Sequence, residues 1–171
     1  MKTRKGFTLI ELIVVIAIIG VLAAILVPSM LGYVKKSKIS SANDAAASVQ
    51  KAFNTALIEL DEAGVAVGDG TYNHTANTAA DDDKIEPGAI TSESLLGGKI
   101  MNYMDAGKKV AFYAEVKGGV CIAVAASPDA KYLGTYPAGV VTVDNFGDKK
   151  TYQANTFETA LAEAVKKTTD K

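Results

Sequence analysis

The chain has 171 residues, 49% of them hydrophobic and 22% charged, with a formal net charge of -1. That length suits one compact domain plus a long helix rather than two large domains, and nothing in the charge balance supplies the clustered basic footprint of a nucleic-acid binder. Cys121 is the sole cysteine and His74 the sole histidine, so an intramolecular disulfide and a Cys/His zinc site are excluded and an acyl-transfer triad has almost nothing to build on.

From Phe7 to Val27 the only ionisable residue is Glu11. At about 1.5 Å of rise per residue, a helix of that length covers the roughly 30 Å of a bilayer's hydrocarbon core, so the segment is predicted to span a membrane. Lys2, Arg4 and Lys5 precede it and hold the N-terminus on the cytoplasmic side under the positive-inside rule. Lys35, Lys36 and Lys38 argue the other way but lie further from the apolar edge. A secretory signal peptide would place its small-residue cleavage site after an apolar region of about 7 to 15 residues. Here the small residue, Gly6, comes before the apolar run, and cleavage there would remove the basic leader, keep the hydrophobic helix and take the formal charge to -4. A carboxylate at the centre of a spanning helix costs about 2.5 to 3.5 kcal/mol, and less towards an interface, where Glu11 sits. A Phe7 amine freed by cleavage would lie one helical turn away, available to its own Glu11 or to that of a neighbouring copy. The plainer alternative is an anchor that tolerates the acid.

Across Gly6-Phe7-Thr8-Leu9-Ile10-Glu11-Leu12-Ile13-Val14-Val15-Ile16-Ala17-Ile18-Ile19-Gly20-Val21-Leu22-Ala23-Ala24-Ile25 the chain resembles the type IV pilins, the class 3 signal family that includes pseudopilins and competence pilins. The resemblance covers about the first 35 residues, and the short leader followed by Phe7 looks like the type IVa branch. It implies cleavage between Gly6 and Phe7 by a prepilin peptidase, methylation of the new Phe7 amine, and use of Glu11 with Phe7 to recruit subunits to a growing filament. It also implies storage as prepilin in the cytoplasmic membrane, in contact with lipid and the assembly machinery, and later export into an extracellular homopolymeric pilus. Many pilins close a C-terminal loop with a disulfide, and this chain departs from that pattern.

The first element is expected to run unbroken from Phe7 to about Glu62. Gly20, Pro28 and Gly32 mark a kink or a locally melted stretch, because Pro28 removes a backbone donor and glycines loosen the helix around it. In the second half Val49, Phe53, Ala56, Leu57 and Leu60 recur at three- and four-residue steps, an apolar stripe that needs a sheet to cover. The domain reading is therefore 1–6 as leader, 7–28 as transmembrane and filament-core helix, 29–62 as the amphipathic half, and 63–171 as a globular head.

Gly64 is expected to stop the helix, and 64–90 reads as a surface loop. Its Asp81-Asp82-Asp83 run resembles no EF-hand, so a solvated loop is favoured over a calcium site; Asn73-His74-Thr75 fits a glycosylation sequon only weakly. Thr91 to Asp105 is predicted as a short helical segment broken near Gly97-Gly98, with Leu95, Leu96, Ile100, Met101 and Met104 for packing. Val110–Val116 and Val120–Ala126 flank Gly118-Gly119, a two-residue hairpin signal. Cys121 in that second strand reads as a buried small hydrophobe. After a loop containing Pro128 and Pro137, Val140–Val143 and Thr151–Gln153 are predicted as strands, and Thr156–Lys167 as a last helix burying Phe157, Leu161 and Val165. The fold class is α+β, with a long N-terminal helix, the pilin stalk, packed on a small antiparallel sheet.

No catalytic constellation, cofactor site or metal site is expected, and no specific nucleic-acid partner. The function expected is that of a major structural subunit of a type IV pilus, serving adhesion or motility. A major pseudopilin of a type II secretion system and a competence pilin stay open, as do an electron-conducting filament and an anchored domain that never polymerises.

Overall fold

A computed structural model describes residues 7–74, 93–104, 110–147 and 150–170. In chain order it contains α1 (Leu9–Glu62), β1 (Gly70–His74), α2 (Glu93–Asn102), β2 (Ala111–Lys117), β3 (Val120–Ser127), β4 (Gly134–Tyr136) and α3 (Phe157–Thr169). The strands form one antiparallel sheet in the order β1-β2-β3-β4. The chain divides into two compact units, the first ending at Lys36 and the second running from Ser37. This is the predicted α+β class.

In the second unit, α1 buries Ile39, Ala42, Ala46, Val49, Ala52, Phe53, Ala56, Leu57 and Leu60, the three- and four-residue spacing that keeps one helical face on a core. The helix ends where expected. Gly64 takes φ +73, its N–H bonds the Asp61 carbonyl at 2.9 Å, and the Val65 N–H reaches the Leu60 carbonyl at 2.8 Å. Those two bonds make a Schellman stop, and only a residue free to adopt positive φ closes it without strain.

Both faces of the sheet are covered. Phe112, Ala114, Val116, Cys121, Val124 and Ala126 meet the α1 stripe together with Tyr72, Leu96 and Ile100. On the other face Ala123 and Ala125 meet Leu133, Val141 and Phe146 and the buried α3 residues Ala160, Leu161 and Ala164. Phe157 and Val165 are only partly buried there, and Phe157 stacks on Tyr113 at 5.2 Å. The Gly118-Gly119 hairpin is present, both glycines at positive φ as its tight turn requires. β3 carries a bulge. Pairing runs Glu115 with Ala123 and then Val116 with Cys121, leaving Ile122 as the extra residue. Two amides from α1 take up the local backbone groups: Gln50 Nε2 donates to the Cys121 carbonyl at 3.1 Å, and the Cys121 N–H donates to Asn54 Oδ1 at 2.8 Å.

Four expectations are corrected. The loop expected over 64–90 contains β1, because one large side chain suffices to pin a polar segment: Tyr72 is 1% exposed and sits edge-on to Phe53 at 5.7 Å. Asn73 and His74 lie in that strand, whereas Thr75 and Asp81-Asp82-Asp83 lie outside the described residues. α2 runs unbroken through Gly97-Gly98, since Leu96 and Ile100 are both buried one turn apart and the Lys99 ammonium meets the Glu59 carboxylate at 2.5 Å. Thr91, Asp105 and the side chains of Leu95 and Met101 are outside the described residues. Val140–Val143 is not a strand. The Asn145 side chain accepts from the Thr142 N–H at 2.7 Å and donates to the Val140 carbonyl at 2.8 Å, occupying backbone groups that a ladder would use. The edge strand is instead β4, and the strand expected at Thr151–Gln153 reduces to a single parallel bridge between Phe146 and Tyr152.

Candidate processing and assembly segment

α1 begins with a reciprocal cap. The Thr8 N–H and hydroxyl donate to Glu11 Oε2 at 2.8 and 2.6 Å, while the Glu11 N–H donates to Thr8 Oγ1 at 3.3 Å. Thr8-Leu9-Ile10-Glu11 is a capping box, with a hydroxyl residue at the N-cap and an acid three positions on. The carboxylate that sequence reasoning paired with Phe7 is thus held first by Thr8, a residue that reasoning passed over although the T-x-x-E spacing was there to find. In the uncleaved chain Phe7 is joined to Gly6 by a peptide bond and has no free amine; Gly6 itself lies outside the described residues.

Beyond the cap, the side chains have no core of their own. Phe7 is 77% exposed, Leu9 74% and Ile25 69%. Among the described residues, α1 is the one helix long and apolar enough to cross a membrane, and none of its most apolar window is buried within the chain. Contiguous exposed apolar surface of this extent marks a site that something else covers. The helical assignment passes through Gly20, Pro28 and Gly32. Pro28 has no N–H to give the preceding turn, and the neighbouring Ser29 hydroxyl bonds the Leu26 carbonyl at 2.9 Å. At Gly20 and Gly32 nothing lies within 4 Å of where a Cβ would stand.

The head offers no competing chemistry among the described residues. No group of three or more His, Cys, Asp or Glu side chains there could hold a metal. Burial pushes the Cys121 thiol up to about 12, which makes it a protonated core group rather than a nucleophile. A surface groove of about 630 Å³ includes Asn43, Gln50, Thr135 and Lys167 in its lining. Each has a polar atom engaged internally: Asn43 Oδ1 accepts from the Thr135 N–H, Gln50 Nε2 donates to the Cys121 carbonyl and the Lys167 ammonium donates to the Ala138 carbonyl.

Comparison with known proteins meets the chain at this same segment. The family model described as the prokaryotic N-terminal methylation motif matches residues 1–27. The type IV major fimbrial protein FimA of Dichelobacter nodosus is 43% identical over 61 residues, which is 36% of this chain and 39% of that protein. The type IV major alpha-pilin of Moraxella bovis is 48% identical over 59 residues, 34% of this chain and 37% of its own length. A fimbrial protein of Pseudomonas aeruginosa is 42% identical over 59 residues, 34% of this chain and 38% of its own length. The matches thus span less than two fifths of these relatives, and no solved structure matches the chain. Over this N-terminal segment, with its methylation motif, its capped acid and its exposed apolar helix, the chain is similar to type IV pilins.

Proposed function

We propose that this chain is the major structural subunit of a type IV pilus. In this reading a prepilin peptidase removes residues 1–6, the Phe7 amine is methylated, and residues 7–28 wait in the cytoplasmic membrane until the assembly machinery packs them into the core of an extracellular homopolymer. Residues 29–62 tie that core to the head, 63–171, and the protein performs no catalytic step. One observation carries the reading: a membrane-length helix that none of the described residues buries and that opens on Phe7 and an acid held by its own cap.

The energetics follow from that exposure. Lipid tails are as apolar as leucine, so moving the helix from bilayer to filament gains through close side-chain packing and polar pairing rather than through expulsion of water. Glu11 supplies the polar term. Its capping oxygen is satisfied by Thr8, and the freed Phe7 amine of an adjoining copy brings a cation to the same carboxylate, a pairing that is strong only in low dielectric and with good geometry. Gly20, Pro28 and Gly32 form the compliant part of the helix, where packing against neighbours is accommodated by bending.

Replacing Glu11 by alanine tests this. Mass spectrometry is expected to find a methylated Phe7 start in both parent and variant, with normal subunit levels, while electron microscopy finds at least about tenfold fewer fibres in Glu11→Ala, the factor that loss of about 1.4 kcal/mol of pairing per subunit gives. Normal fibre counts in that variant would contradict the assignment.

A further inference from the structure

Three amides on one stripe of α1 bond the sheet where a further strand would otherwise lie. Asn43, Gln50 and Asn54 recur at seven- and four-residue steps, which aligns them on one side of the helix. Asn43 Oδ1 accepts from the Thr135 N–H at 2.8 Å, Gln50 Nε2 donates to the Cys121 carbonyl at 3.1 Å, and Asn54 Oδ1 accepts from the Cys121 N–H at 2.8 Å. All three residues are half-buried. Their targets are groups at the edge of the sheet. β4 pairs with β3 only at Val124, Ala125 and Ala126, and Pro137, which has no N–H to give a ladder, follows its last residue. Among the described residues, 120–123 of β3 thus have β2 on one side and no strand on the other, and the Cys121 N–H and carbonyl are held by the two amides instead.

Without that stripe the edge has the chemistry that attracts another strand. β3 contains no charged residue and no proline, and uncharged, proline-free strands with unpaired backbone groups are templates for pairing with a further chain. The edge is also reachable. The groove of about 630 Å³ includes Val120, Cys121, Ile122 and Thr135 in its lining, beside Asn43 and Gln50, and Val120 is 50% exposed. Sheets commonly blunt such an edge with lysine or proline on the strand itself; here the protection is carried by the helix. We propose that the stripe of Asn43, Gln50 and Asn54 is a guard that keeps the β3–β4 edge from pairing with the same edge of a second copy of this chain. A second copy is the occupant because two antiparallel β3 edges are self-complementary, each supplying the N–H and carbonyl the other lacks, and no charge on either strand opposes the contact. The guard belongs to the second unit alone and operates whether or not the chain polymerises through its apolar helix.

The test uses the full chain in detergent micelles, with self-association measured by sedimentation and stability by urea midpoint. Gln50→Met combined with Asn54→Leu keeps the side chains close to their original size and removes both bonds to Cys121. Relative to the parent, the association constant is expected to rise at least about tenfold, because backbone groups left unmet on one copy find partners on another. Adding Val120→Lys at its exposed position is expected to return the constant to the parent value, since a charge on the edge opposes strand pairing without restoring either amide. Leu57→Ala, in the buried face of α1, lowers the urea midpoint while leaving the edge closed, and is expected to keep the parent constant. The proposal is overturned if the folded double variant associates no more than the parent, if Val120→Lys leaves the gain intact, or if Leu57→Ala produces the same gain. Should the double variant be unfolded, Gln50→Met and Asn54→Leu made singly decide: a rise in either supports the guard, and parent behaviour in both overturns it.

Discussion

Glu11 enters the apolar helix with two donors from Thr8 already in place, so its desolvation is partly met before any second molecule is present. In the proposed membrane-held subunit this would make the acid tolerable while its second oxygen met the Phe7 amine of an adjoining copy. Cys121 illustrates the opposite solution, a group kept neutral by burial. Its folded-state pKa is raised from 9.0 to about 12, first by desolvation, which disfavours the thiolate. The unfolded chain ionises this thiol above pH 9 while the folded chain does not, so its contribution to stability is whole below pH 9 and is lost as pH climbs from 9 towards 12. Burial raises Tyr72 and Tyr152 in the same direction. Urea midpoints are expected to fall between pH 8 and pH 10.5, and iodoacetamide at pH 8 should label Cys121 only in denaturant; labelling of native protein at the rate of a free thiol would show that the site opens.

At the level of elements, periodicity located α1, the hairpin and α3 because each has enough apolar residues at one repeat to fix its face. It missed β1, where Tyr72 alone holds the strand. It read Val140–Val143 as extended because β-branched residues favour strands, whereas a single side chain, Asn145, decides the backbone there. Glycine misled at Gly97-Gly98, and Gly134 drew no reading at all. In α2, Gly98 faces open space, and in β4, Gly134 stands where a Cβ would lie 2.2 Å from the Ala42 carbonyl carbon and 2.3 Å from the Asn43 nitrogen. Composition cannot distinguish them, since the difference lies in what the rest of the chain brings alongside. Gly98→Ala is therefore expected to raise stability by about 0.5–1 kcal/mol and Gly134→Ala to lower it by about 1–3 kcal/mol or more, measured by urea unfolding in detergent. Equal shifts for the two would mean that β4 moves off α1 at little cost.

Across the whole molecule, the candidate site was more legible than the fold, because a charge within a long apolar run is informative without any tertiary contact. Thr8 was the exception, hidden by its ordinary place among polar and apolar neighbours. The matched relatives cover 34–36% of this chain, and the division at Lys36 and Ser37 separates a unit whose described residues bury no core from one with its own. Residues 37–171 expressed alone are accordingly expected to be soluble without detergent and to unfold cooperatively as a monomer in calorimetry, while the full chain requires detergent or lipid; an aggregated or unfolded fragment would show that the first unit is needed for folding. The run of buried α1 residues from Ile39 to Leu60 has a mechanical corollary. That seam extends over about six turns, roughly 32 Å, so tension arriving at Ser37 is shared along an overlap, as in a lap joint, and must shear many small contacts together instead of peeling them one at a time.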